Sequence, residues 1–405
     1  MAPSWLLYSY DAMGLGHVRR ALALARAGLA ARPDLSALLV TCSPFAGQLP
    51  MPRGLDYIKM PSAAKFGNQH YVSRSLEIDE GHLHELRANL LREAVTGFKP
   101  QLMLVDKSPD GMAGELKYAL KSAQVASRGT RLVLGWRDIL DEPDAVQDEW
   151  RSRDTLRIID EFYEEIWVWG DECWYDPRET YRMPSSIARR VRFMGYVSPP
   201  VGAAELESAR ARYPDGDGPR VLVTAGGGED GSHVISRVLD SIASGAFPAD
   251  ARVLVVFGPY VPATTERRLR DCAPAGVKLE TFVPGLAPLI GAADTIVGMA
   301  GYNTVSEALG SRVPMVLIPR VSPRREQWVR AKLLEHRGLA VCLAPDDLAP
   351  ATVGAAVSRA LERGRPSPDL LPRRDGLASA IRALDRLLPA RDPSPPVGAT
   401  ARDRA

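Results

Sequence analysis

One order of elements occurs twice in this chain. The apolar run Trp5-Leu-Leu-Tyr-Ser-Tyr10 leads into Gly14-Leu-Gly16-His17-Val-Arg-Arg20 and a helical stretch. Far downstream, Arg220-Val-Leu-Val-Thr-Ala225 leads into Gly226-Gly-Gly228 and a helical stretch from about Ser232. Strand, glycine loop and helix in that order open a doubly wound parallel sheet, because the loop brings backbone amides to the strand end. Each copy is followed by further short, continuously apolar runs, as strands covered on both faces require. They are Leu38–Cys42, Leu102–Asp106, Leu132–Trp136 and Ile166–Trp169 after the first, and Val253–Phe257, Thr295–Val297, Met315–Ile318 and Ala340–Leu343 after the second. Between them Val18, Leu22, Ala25 and Leu29 recur at helical spacing, as do Leu83, Leu86 and Leu90. The pattern predicts an α/β chain of two doubly wound, Rossmann-like domains.

Length agrees, since 405 residues exceed one ordinary core and leave room for a cleft between two. Turn-rich stretches at Ser198–Ala203 and Tyr213–Pro219 mark a linker over 198–219 between domains at 1–197 and 220–388. Leu377, Ile381, Leu384 and Leu388 predict a helix that ends the second domain, and the proline- and charge-rich tail 389–405 is expected to be disordered. The net charge of +2 comes from nearly balanced acids and bases, which argues against a nucleic-acid partner. Cys42, Cys173, Cys272 and Cys342 are too scattered for a zinc site and are expected to be reduced and mostly buried. The start lacks a basic signal-peptide region, and no run of about 20 apolar residues occurs. The expected location is cytoplasmic, with peripheral contact at the inner face of the membrane left open.

Which anion the first glycine turn serves is less direct. A dinucleotide fingerprint would need a third glycine where Arg19 stands and an acid after the second strand, where Thr41-Cys42-Ser43 stand instead. No Gly-x-x-x-x-Gly-Lys-Ser/Thr loop occurs either.

The richest stretch is Gly298-Met-Ala-Gly-Tyr-Asn-Thr-Val-Ser-Glu-Ala-Leu-Gly310, followed by Val313-Pro-Met-Val-Leu-Ile-Pro319 and Arg324-Arg-Glu-Gln-Trp328. Its spacing resembles the C-terminal domain of glycosyltransferase family 28, the family of the peptidoglycan N-acetylglucosaminyltransferase, and the chain reads as MurG-like. The resemblance implies a GT-B fold, two Rossmann-like domains facing a central cleft. It implies a nucleotide-diphosphate sugar of the UDP type as donor, a hydroxyl acceptor that the sequence does not identify, inversion at the sugar, and neither cofactor nor metal. Glu307 then accepts the donor's ribose hydroxyls, although Thr304-Val-Ser-Glu307 also reads as a capping box. Gly301, Asn303 and Thr304 lie at the helix start that meets the diphosphate, and Gln327 contacts the sugar. Gly226, Gly227 and Gly228 allow the backbone close to the cleft, with a plain strand-to-helix turn as the alternative.

In that frame Gly14, Gly16 and Arg20 face the acceptor or a phosphate. His17 is a base candidate, since an unperturbed imidazole pKa of about 6.5 suits proton removal. Asp106, ending a strand, is the second base candidate; Asp11 and the pair Arg137-Asp138 also follow strands, where a buried ion pair or a cap would serve equally. Gly14-x-Gly16-His17-x-x-Arg20 also resembles the start of the UDP-sugar hydrolase of pseudaminic acid synthesis. A hydrolase and a catalytically silent nucleotide-sugar-binding protein therefore remain as alternatives.

Overall fold

The computed structural model describes residues 2–10, 15–66, 70–126, 129–227 and 230–388. Asp11, Gly14, Gly228 and the tail 389–405 lie outside the described residues. Every apolar run named above forms most of a strand. The first lobe contains β1 (Ser4–Tyr8), β2 (Ser36–Thr41), β3 (Leu55–Lys59), the hairpin β4 (Ala63–Phe66) and β5 (His70–Ser73), β6 (Leu102–Asp106), β7 (Arg131–Arg137), β8 (Glu165–Trp169) and β9 (Val191–Phe193). The second contains β10 (Arg220–Thr224), β11 (Arg252–Val256), β12 (Lys278–Glu280), β13 (Thr295–Gly298), β14 (Met315–Leu317) and β15 (Ala340–Cys342).

The large sheets run β3-β2-β1-β6-β7-β8-β9 and β12-β11-β10-β13-β14-β15, with all pairs parallel. Strand order reverses between β1 and β6 and between β10 and β13, which opens a crevice at the carboxyl ends of those strands. The edge strands β3, β9 and β12 escaped the sequence reading because they are short and carry exposed Asp56, Lys59, Arg192 and Lys278 in place of a continuous apolar run.

Alternation along β1 sends Leu6 and Tyr8 into a cluster on one face of the first sheet, and Trp5 and Leu7 into another. The second cluster continues across the lobes to Leu222, Leu254, Ile296, Val305 and Leu309. The lobes therefore share a core instead of meeting at a wet hinge.

Two boundaries differ from those expected. The final helix, Gly376–Leu387, packs on the opening helix of the first lobe, Gly16–Ala31, and not within the second lobe. Gly28 makes the approach possible, because a Cβ there would lie 2.8 Å from Leu384 Cδ1 and 3.1 Å from the Trp5 ring. Arg386 clamps Glu165 at 2.7 and 2.9 Å, and Arg32 donates to the Leu388 carbonyl at 2.9 Å. Helical spacing reveals an apolar face but not which sheet it covers. The segment 198–219 is also more than a linker: its helix Ala203–Arg210 packs on the second-lobe helix Ala287–Ala292, and the Tyr213 hydroxyl donates to Leu289. Of the cysteines only Cys42 is buried; Cys173 and Cys272 are exposed, lying in a turn and at a helix end. No helix among the described residues is long and apolar enough to cross a membrane.

Leu384 is fully buried between the first lobe and the final helix. Leu384→Ala is expected to destabilise the protein by about 3 kcal/mol, measured by urea unfolding, and to expose the final helix to limited proteolysis.

Candidate functional site

Both topological reversals face one cleft of about 1400 Å³. Gly16 and His17 begin the opening helix directly beyond β1, and Asp106 is the last residue of β6, so neighbouring strand ends bring them together. His17 Nδ1 bonds Asp106 Oδ2, and Arg20 Nη2 bonds Asp106 Oδ1 from the next turn of the same helix. The carboxylate contact assigns the ring proton to Nδ1, leaving Nε2 as an acceptor with no partner among the described residues.

Burial pushes the His17 pKa down to about 4; Asp106 opposes this, while Arg20 and Arg137 add to it. The imidazole is thus neutral far below the value expected for a free histidine. Burial alone would raise the Asp106 pKa, but Arg20 and His17 outweigh it and hold the carboxyl well below the usual carboxylate range. With both oxygens engaged, Asp106 is a poor base, and the geometry makes it the group that orients His17.

The facing wall comes from the second lobe. Gly226 adopts φ 65°, and a Cβ on Gly226 or Gly301 would meet nothing within 4 Å, so both backbones stand open to the cleft. Gly227 also lines the cleft, its carbonyl accepting from the Tyr260 N–H at 3.1 Å. Gly258, which the sequence reading missed, permits this fold of the loop: a Cβ there would stand 2.5 Å from the Gly226 carbonyl oxygen. Gly301 caps the helix Tyr302–Ser311 without any side chain satisfying the helix start, and Thr304 lines the cleft from its first turn. Gln327 is buried and not a surface residue; its carbonyl accepts from the Arg320 N–H at 3.1 Å, which leaves its amide NH2 for a ligand.

Glu307 and Asn303 stand differently. The helix starts at Tyr302, so Thr304 and Glu307 form no capping box. Glu307 Oε1 instead accepts from Arg19 of the first lobe at 2.6 Å, and its Oε2 is buried without a partner among the described residues. Burial raises the Glu307 pKa and Arg19 partly offsets this. Asn303 Nδ2 donates across the lobes to the Gly16 carbonyl at 2.8 Å. Glu307 consequently lines a second cavity, which shares Arg19, Arg20 and Asn303 with the cleft but lies beyond them from His17.

Sequence reasoning missed what joins these pieces. Tyr302 meets the guanidiniums of Arg20 and Arg330, at 5.4 and 5.9 Å from its ring centre, and stacks on Tyr196 at 5.7 Å. Asp138 forms a buried ion pair with Arg330 at 3.5 Å and accepts from the Tyr196 hydroxyl, which resolves the ion-pair alternative in its favour. Arg324 and Arg325 reach across to Glu149 and Glu142 at 2.7 and 2.9 Å. None of these pairs has a spacing signal, since each joins residues from distant elements.

Residues 220–368 match the glycosyltransferase family 28 C-terminal domain. The chain is 30% identical over 175 residues to the UDP-N-acetylglucosamine--N-acetylmuramyl-(pentapeptide) pyrophosphoryl-undecaprenol N-acetylglucosamine transferase of Symbiobacterium thermophilum, covering 43% of this chain and 46% of that relative. The chain thus spans about half the length of that relative. The protein of the same name from Solidesulfovibrio magneticus is 24% identical over 82% of this chain and 83% of its own. Among solved structures, the glycotransferase of kitacinnamycin superposes with a TM-score of 0.61 at 16% identity, over 96% of this chain and 100% of that one. The fold is GT-B.

Arg20 and Asp106 are both buried. Arg20→Met is expected to destabilise the protein by about 3 kcal/mol by leaving Asp106 under-compensated. Adding Asp106→Asn should recover part of that loss in urea unfolding of the double variant.

Proposed function

We propose that this chain, a GT-B protein whose second lobe carries a glycosyltransferase family 28 C-terminal domain, is an inverting, metal-independent glycosyltransferase. Its donor is a nucleotide-diphosphate sugar of the UDP type, and its acceptor bears a hydroxyl. The observation that carries this reading is the His17–Asp106 pair, whose imidazole lines the same cleft as Gly301 and Thr304 and leaves Nε2 with no partner among the described residues.

In the proposed step Nε2 takes the acceptor hydroxyl's proton while that oxygen attacks the anomeric carbon. The bond from that carbon to the diphosphate breaks, and its electron pair leaves with the nucleoside diphosphate. Asp106 holds Nδ1–H and stabilises the imidazolium as it forms, which compensates the weak ground-state basicity of a buried histidine. The amides at the start of the Tyr302–Ser311 helix meet the charge growing on the leaving diphosphate, so that the helix dipole supports departure. Gln327 donates to the sugar, and the open backbone of Gly226 admits the diphosphate.

We assign the ribose to Glu307 because its buried Oε2 has an unused acceptor site. The assignment requires the nucleoside to lie over the Asn303 and Arg19 contacts, with Arg19 yielding part of its hold.

The test is a thermal-shift and product assay with UDP-, dTDP- and GDP-sugars in EDTA. One nucleotide class at about 100 times its Kd should stabilise the protein by about 2.7 kcal/mol, with little free sugar released until an acceptor is added. Rapid release of sugar without acceptor would make the protein a hydrolase, and binding without turnover over a broad acceptor panel would make it a binding protein. His17→Ala should lower kcat by about 100-fold or more at unchanged UDP affinity. The neutral base is the active form, so kcat/KM should be level near neutral pH and fall as pH drops through about 4. Glu307→Ala should weaken UDP binding by about tenfold in calorimetry; unchanged affinity would leave Glu307 as a lobe-to-lobe contact alone.

A further inference from the structure

Two cations of the first lobe line the cleft without an ion-pair partner among the described residues. Lys107 follows Asp106 directly and adopts φ 69°, in the region that disfavours a side chain. Its N–H on the Gly135 carbonyl at 2.8 Å, and its own carbonyl, which accepts from the Trp136 indole N–H at 2.8 Å, hold it there. The ammonium lies 4.6 Å from the centre of the Tyr10 ring and makes no hydrogen bond or ion pair among the described residues. The guanidinium of Arg137, the last residue of β7, likewise has neither among the described residues. Desolvated cations without a counter-charge cost stability and are expected where a ligand completes the site.

Their neighbours place them along the cleft. Lys107 and Arg137 sit on neighbouring strand ends, since Asp106 is in register with Gly135, and they share the cleft with Glu326 and Gln327 of the second lobe. Burial lowers the Arg137 pKa to about 10; Glu326 is the strongest charge opposing this, and Asp106 opposes it more weakly. Arg137 thus feels both the residue before Gln327 and the carboxylate that holds His17. Burial, with Arg324 and Arg137 next, lowers the Lys107 pKa to about 7. The carboxylates that act on the pair are engaged elsewhere: Glu326 Oε1 accepts from Arg320 at 2.7 Å, Glu149 from Arg324 at 2.7 Å, and Asp106 from Arg20 and His17. Glu326 Oε2 is buried with no partner among the described residues. In the step proposed above, the donor sugar has its anomeric carbon at His17 and a hydroxyl at Gln327, so its ring spans the stretch of cleft that Arg137 borders.

We infer that the sugar of the donor is a uronic acid and that Lys107 and Arg137 hold its carboxylate, an inference that rests on the transferase reading. A guanidinium meets both oxygens of a carboxylate through parallel N–H donors, and an ammonium adds a point charge. The pair suits one negative charge, because Arg137 stays protonated at neutral pH whereas Lys107 titrates there. The remaining polar groups suit the hydroxyls of the same ring: the Gln327 amide donates, and Glu326 Oε2 accepts. A neutral sugar would displace water from the two cations and give them no counter-charge in return. Such a site therefore discriminates against the sugar that lacks the acid.

The experiment is calorimetric titration into the full chain of UDP, of UDP-glucose and UDP-galactose, and of their acid counterparts UDP-glucuronic and UDP-galacturonic acid. The proteins are wild type, Lys107→Met, Arg137→Met and the double variant. At least one of the acids should bind wild type about tenfold or more tighter than its neutral parent. Each single variant should lose most of that preference and the double variant all of it. UDP alone should bind all four proteins alike, which shows that the variants are folded. Wild type that binds UDP but prefers neither acid, or a preference that survives in the double variant, would overturn the inference and leave the transferase reading standing. A fall in UDP affinity that matches the fall for the acids would also overturn it, by giving the two cations to the diphosphate. A wild type that binds no nucleotide would sink the transferase reading and the inference with it.

Discussion

The site depends on the contact between two helix beginnings. The opening helix and the Tyr302–Ser311 helix meet end to end across the lobes through Asn303 on the Gly16 carbonyl and Arg19 on Glu307. Tyr302 sits beside that contact, against Arg20, Arg330 and Tyr196. Each helix start is a place where backbone amides lack partners. Holding two of them close gathers backbone amides of both lobes at one crevice, which His17 and Gly301 both line. The shared apolar core behind this contact resists sliding of the lobes, so the crevice does not depend on surface charge pairs alone.

Charge organises the rest of the crevice. Asp106 is buried with Arg20 and His17, and Asp138 is buried with Arg330 and Tyr196. Burying charges costs more than most folds tolerate unless the pairs are complete. Here those two carboxylates are paired, whereas Lys107 and Arg137, which line the cleft, make no ion pair among the described residues. A histidine whose imidazolium is disfavoured by burial rests neutral, with its one ring proton on Nδ1 toward Asp106 and Nε2 unprotonated.

Much of the fold was legible because buried parallel strands leave continuous apolar runs, as Leu102–Asp106 and Arg220–Thr224 do. Parts of the site were legible for a similar reason: glycines at strand ends and the Gly298–Gly310 stretch are local features. The pairing of His17 with Asp106 was not, since the two were separate candidates until neighbouring strands brought them together. Glu307 shows the opposite case. Its spacing from Thr304 suggested a cap, but the helix begins at Tyr302, which frees Glu307 to reach Arg19 in the other lobe. Gly14 and Gly228 lie outside the described residues, and the reading of the loops rests on Gly16, Gly226 and Gly227.

The sequence by itself determined two parallel sheets, their glycine loops and the residue types available at the strand ends. These follow from local periodicity and from the conformational freedom of glycine, which neighbouring residues suffice to specify. Only the tertiary structure decided that the last helix covers the first lobe, that Asp106 bonds His17, and that Lys107 and Arg137 line one cleft without an ion-pair partner among the described residues. Those outcomes turn on packing and desolvation between residues far apart in the chain, where energy depends on distance and burial that no spacing along the sequence records.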